Sequence, residues 1–288
     1  FGALGSRIRI CRIGQGVAVF AGVAVAAVLV LIIGFILVKG LPYLVRNPSL
    51  IWGRFEFGGE KVTILPAIIT TLYAVGLSLL IAVPVGIMTA VLLNAFSSRD
   101  YPLMRLIRSA IDILSGVPSI VYGLFGMITF VKLFGGSSSI LAGSLTVSMM
   151  LLPTIVRSTE ESLKSVPDSM REGSLALGAG KLRTIFKIVL PSALPGILSA
   201  VILSMGRVIS ESAPFLYTMG SVISAVPHGV SDSGASLAVA RYQLSGEGWY
   251  MNEAYATAVV LILLVLTLNL LAELAASRLS RKLKGASK

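Results

Sequence analysis

Arg207 and Glu211 stand four residues apart in a run otherwise rich in apolar side chains, so on a helix they share one face. A charge at the centre of a membrane helix costs about 2.5–3.5 kcal/mol and is kept where it meets a cavity or a partner. Two chemistries fit the pair. It is a structural ion pair that locks its helix to a neighbour, or Arg207 offers its guanidinium to a passing oxyanion. The planar donor fork of Arg matches phosphate-type oxygens bidentately. Glu211 would then hold Arg207 in place and compete for it once the anion leaves. Neither chemistry is covalent. The one cysteine, Cys11, excludes a disulfide within the chain, and the one histidine, His228, has no His or Cys companion. No catalytic residue and no metal site are expected.

A second constellation lies in the polar, basic insert 157–190, which contains EGSLALGAGKLRTIFKIVLP from Glu172 to Pro191. Loops between packed helices need only about two to eight residues, so this insert is longer than a turn requires. Two short helices are expected. The first starts at Pro167 and Asp168 and carries Glu172, Gly173, Ser174 and Leu177. Gly178 breaks the chain, and a basic helix with Lys181, Arg183 and Lys187 enters the next apolar run at Pro191. The insert is a solvated basic loop beside anionic headgroups, or an elbow on which a soluble partner docks. It is not a phosphate loop. That pattern needs Gly-x4-Gly-Lys-[Ser/Thr], whereas Ala179 follows Gly178 and Leu182 follows Lys181. ATP and its Mg are therefore expected on another subunit, with no cofactor on this chain.

A third stretch, SGVPSIVYGLFG from Ser115 to Gly126, holds Gly116, Pro118, Ser119 and Tyr122. Its glycines weaken a helix. It is either a kinked helix that packs closely or backbone that lines a pathway, as in transporters with broken helices. Asp112, just before it, reads as a helix-start residue. In LPTIVRSTEESLKSVP, Arg157, Glu160, Glu161 and Lys164 have helical i,i+3 and i,i+4 spacing. They read as a salt-bridged, solvated face on a helix that extends out of the membrane.

The elements that must position these residues follow from composition. The 288 residues are 55% hydrophobic and 13% charged, against about 25% charged in soluble domains, and mean hydropathy is +0.90. This is an all-α integral membrane protein. Six spans are expected, at 17–38, 66–93, 113–134, 140–156, 191–210 and 256–274, each near the 20 residues a bilayer needs. With both termini inside, the segments 1–16, 94–112, 157–190 and 275–288 hold 17 of the 24 Lys and Arg residues, and the outer segments 39–65, 135–139 and 211–255 hold 5. That asymmetry sets the orientation. It also explains the net charge of +11 without a nucleic-acid surface. No cleavable signal-peptide pattern is evident. The first span is almost pure Val, Ala, Leu and Ile and reads as a lipid-facing anchor. The others carry Gly, Ser, Thr and Pro, which permit close helix contact in lipid. The expected division is 1–62, with the first helix and an outer loop, and a five-helix core at 63–288.

The insert resembles the EAA loop through which permeases of ABC transporters touch their ATPase. Gly173 and Ser174 stand where the family has two alanines, and the spacing from Glu172 to Gly178 and on to Ile188 and Leu190-Pro191 is kept. Together with SGVPSIVYGLFG, LPTIVRSTEESLKSVP and GRVISESAPFLYTMG (206–220), it resembles the permeases of the bacterial phosphate ABC transporter, Pst. The last run favours the PstA type over the PstC type. The resemblance covers the second to sixth spans. It implies the type I ABC importer permease (MetI-like) fold in the bacterial cytoplasmic membrane. The implied partners are a PstC-like permease, two PstB-like ATPases and an extracytoplasmic phosphate-binding protein. Another oxyanion, such as sulfate or molybdate, and a stand-alone transporter are the competing readings.

Overall fold

The computed structural model describes residues 2–53, 63–95, 102–221, 223, 226–246, 248 and 250–285. The boundary expected at residue 62 and part of the inner segment 94–112 lie outside them. Twelve α-helices follow one another in the described residues: α1 (Gly2–Arg46), α2 (Ser49–Trp52), α3 (Leu65–Ala95), α4 (Pro102–Ser115), α5 (Ser119–Gly126), α6 (Ile140–Lys164), α7 (Asp168–Ala176), α8 (Lys181–Thr184), α9 (Leu190–Ser210), α10 (Ala213–Thr218), α11 (Leu237–Gly246) and α12 (Met251–Gly285). Short π-helical turns extend α5 over Met127–Val131 and join α8 to α9 over Ile185–Val189.

Five helical stretches are long and apolar enough to cross a bilayer: Gln15–Arg46, Leu65–Ala95, Ile140–Lys164, Lys181–Ser210 and Met251–Arg278. The pair Pro102–Ser115 and Ser119–Val131 is long and apolar enough only when taken together, and it is bent by 105°, as in a broken span or a re-entrant loop. The expected span 113–134 is therefore not one helix. Pro118 has extended backbone (φ −61°, ψ 143°), and a proline pushes the residue before it out of the helical region. Asp112 is corrected with it. It lies in the last turn of α4, not at a helix start, where a negative charge opposes the helix dipole. Its ion pair with Arg157 on α6 offsets that.

The peripheral reading of the first helix holds. The most apolar window of α1 is 0% buried, whereas that of α6 is 67% buried. Helix α1 touches the rest chiefly along α12, where the Tyr43 hydroxyl donates to Glu253 at 2.6 Å. The central pair is α3 with α6. The Ser148 hydroxyl donates to the Ser78 carbonyl at 3.1 Å and the Ser78 hydroxyl to the Ser144 carbonyl at 3.2 Å. Helix α5 reaches α6 so closely that a Cβ on Gly126 would lie 2.1 Å from Thr146 Oγ1. Where lipid is as apolar as the side chains, small residues and such hydrogen bonds hold helices together.

Helix α9 keeps to the expected 191–210, beginning one residue earlier at Leu190. Helix α9 ends at Ser210, and Glu211 is extended (ψ 132°). The chain then continues as α10 to the start of α6, where the Ser139 amide donates to the Thr218 carbonyl at 3.1 Å. Phe215 and Met219 are fully buried. Thus 213–218, part of the segment expected outside, packs against α5 and α6. A second apolar cluster joins the last turns of α3 and α6 to α4, the π turn and the start of α9, through residues such as Leu93, Met104, Leu163 and Val189.

Candidate transport site and docking elbow

The insert folds as the spacing predicts. Helix α7 starts at Asp168, and Leu177 closes it. Gly178 turns the chain with φ +82°, and α8 starts at Lys181. The left-handed φ is natural for glycine and costs other residues roughly 1–2 kcal/mol. Ser174 and Thr184 close the elbow through their hydroxyls at 2.9 Å, which a small residue after Glu172 and Gly173 allows. A cavity of about 500 Å³ opens along the elbow, lined by Met170, Gly173, Ser174, Leu177, Gly178 and Arg183. Helix α7 contains no buried residue, and Leu177 is 90% exposed. Glu172 and Lys181 are exposed and do not line the cavity. Leu177 is thus an apolar side chain exposed on a polar elbow.

Arg207 and Glu211 do meet, Nε to Oε1 at 3.5 Å. The pair does not lie along one continuous helix, because the helix ends between its members. Glu211 is 16% exposed and Arg207 is 46% exposed. Arg207 lines a cavity of about 860 Å³ between α6, α9 and α12, with Thr154, Ser204, Asn269 and Glu273; Glu211 is not part of that lining. Arg207 lies in the last turn of α9. Ser204 Oγ and Asn269 Oδ1 of the same lining are buried without a hydrogen-bond partner among the described residues. Such groups are costly unless something completes them. Ser204, Asn269 and Glu273 were not anticipated from the sequence. A signal was present: Asn269 and Glu273 stand four apart in the last apolar run, and polar groups in such runs mark pathways.

Gly116, Pro118, Ser119 and Tyr122 are not brought to that cavity. They shape the bend. The Tyr122 hydroxyl, on a buried side chain, donates at 2.8 Å to the Leu114 carbonyl in the last turn of α4, one of the carbonyls a helix end leaves open. At the next residue, a Cβ on Gly123 would lie 3.0 Å from Pro214 Cα, so α5 and α10 touch backbone to backbone. The face of α6 expected to be solvated is partly buried. Glu160 is 12% exposed at its side chain and takes Lys164 at 2.8 Å and Arg108 of α4 at 2.9 Å. The described residues contain no cluster of His, Cys, Asp or Glu that could hold a metal ion.

Comparison with known proteins supplies the context. Residues 82–285 match the family model of binding-protein-dependent transport system inner membrane components. The chain is 32% identical over 216 residues to the probable ABC transporter permease protein YqgI of Bacillus subtilis, covering 73% of this chain and 70% of that one. It is 38% identical over 211 residues to the phosphate transport system permease protein PstA 1 of Mycobacterium tuberculosis, covering 72% and 68%. Among solved structures, a bacterial alginate ABC transporter in complex with its periplasmic protein matches with a TM-score of 0.63 at 16% identity, over 91% of this chain and 94% of that one. The inward-facing MetNI methionine ABC transporter matches with a TM-score of 0.59 at 21% identity, over 76% and 94%. The likeness to those two structures is one of fold.

Proposed function

Because this chain belongs to the family of binding-protein-dependent transport system inner membrane components, we propose that it is the PstA-type permease subunit of an ATP-driven phosphate importer. Its fold is the type I importer permease fold, and it is a multi-pass membrane component of an ABC transporter. The observation that carries the substrate is Arg207. It is a half-exposed guanidinium in a largely apolar cavity that also holds Thr154, Ser204, Asn269 and Glu273, and its contact with Glu211 runs through Nε. Among the described residues no other ion pair occupies its two terminal nitrogens. That fork suits two oxygens of a phosphate. Ser204 and Asn269 stand beside it with unfilled hydrogen-bonding capacity.

The chain performs no covalent step. Its partners in this reading are a PstC-like permease, two PstB-like ATPases that hold ATP and Mg, and an extracytoplasmic phosphate-binding protein. The termini and the elbow face the cytoplasm, as the Lys and Arg asymmetry supports. ATP binding closes the ATPase dimer, and the elbow carries that motion into the helices and swings the permease pair outward. Phosphate released by the binding protein enters between the two permeases and passes Arg207. Hydrolysis returns the cavity inward. Uptake of labelled phosphate by cells lacking this subunit tests the reading. Loss of phosphate uptake, with sulfate and molybdate uptake intact, is expected. Unchanged phosphate uptake refutes it.

A further inference from the structure

The elbow reaches the membrane core through very few groups. Helix α7 buries no side chain, and neither apolar cluster includes one of its residues. It rests on α8 and on the π turn before α9. Among the described residues, the side-chain hydrogen bonds that tie it to the central pair α3 and α6 come from Arg171. One terminal nitrogen of its guanidinium donates to the Leu163 carbonyl at 2.5 Å, and the other donates to Asn94 Oδ1 at 3.4 Å. Leu163 is in the last turn of α6, where carbonyls lack helical partners and a cation is favoured by the helix dipole. Asn94 is the penultimate residue of α3 and is buried. Asp168, on α7 itself, lies 4.0 Å from Arg171 Nε and is solvent-exposed. The fork thus joins three helices at one point. The two helices it holds are also joined to each other by the Ser78 and Ser148 hydrogen bonds.

We propose that Arg171 is the positioning residue that transmits movement of the elbow to α3 and α6 as a unit. This rests on the transport reading above. A fork with one arm on each helix end moves both when α7 moves. A lysine carries the charge but has a single ammonium, so it cannot hold two acceptors in fixed directions. The inference therefore concerns geometry and not charge.

The test uses the whole transporter, with its ATPases, in proteoliposomes. Two quantities are read: complex yield, and the stimulation of ATP hydrolysis by the phosphate-loaded binding protein added outside. Arg171→Lys is expected to assemble at wild-type yield and to lose most of the stimulation, about tenfold. Asn94→Ala removes one arm and is expected to give a smaller loss. The double variant is expected to be no worse than Arg171→Lys, because both changes cut one linkage. Full stimulation in Arg171→Lys overturns the proposal. So does a double variant whose loss is the product of the two single losses. If wild-type stimulation is present but phosphate is not imported, the phosphate reading fails and the linkage is still judged by the same two variants.

Discussion

Arg207 meets Glu211 through one nitrogen at 3.5 Å, a loose contact for a pair whose ideal is two parallel bonds. A ligand role and a structural role separate by substitution. Arg207→Lys keeps the charge and loses the fork. Hydrogen bonds to charged groups are worth about 1.5–3 kcal/mol, so phosphate transport should fall about tenfold or more at normal complex yield. Arg207→Gln leaves Glu211 unpaired, and adding Glu211→Gln removes that problem. If the pair only locks α9 at its break, the double variant recovers both yield and uptake, and phosphate uptake assays on the three variants decide. The pair was legible in the sequence because a charge in an apolar run is costly. Its surroundings were not. The end of α9 at Ser210 falls where the sequence places it, but the packing of α10 against α5 and α6 is tertiary, and no local spacing encodes it. Asp112 was misread for a similar reason. Its partner, Arg157, lies 45 residues away.

At the scale of elements, the elbow was legible in detail. Gly178 announced the break, and Pro167–Asp168 and Lys181 announced the two helix starts around it. The left-handed φ of Gly178, with open space around it, makes a graded prediction. Gly178→Val is β-branched and strained there, so binding-protein-stimulated ATP hydrolysis should fall most. Gly178→Ala should fall less, and Gly178→Asn least, because Asn tolerates this region. Equal stimulation in all three would remove the elbow from the coupling path. Close helix contact makes a second prediction. Gly126→Ala must displace Thr146 and should cost about 1–3 kcal/mol, seen as a lower thermal midpoint of the purified protein. Gly76→Ala, in the same kind of crossing but with no atom within 4 Å, should leave the midpoint unchanged. The bend between α4 and α5 was half legible. Gly116 and Pro118 signalled weakness, but hydropathy alone extends the span across the break, because Ile113 and Leu114 are apolar and exposed.

For the whole molecule, the asymmetry of Lys and Arg predicts that the elbow faces the cytoplasm. A single cysteine at position 180 in a Cys11→Ser background should resist an impermeant thiol reagent in intact cells and label in inverted vesicles. Labelling of intact cells would reverse the topology. The packing of α1 chiefly along α12, with its apolar stretch uncovered, agrees with a family match that begins at residue 82, inside α3. In the proposed function, this chain with its partners moves phosphate at the cost of ATP. The most direct measurement is uptake of radiolabelled phosphate into proteoliposomes that hold the complete complex, with ATP on the ATPase side and loaded binding protein on the other. Uptake is expected to need ATP, binding protein and this subunit together, and to collapse in Arg207→Lys. Phosphate accumulation without ATP, or accumulation of sulfate or molybdate in place of phosphate, would contradict that function.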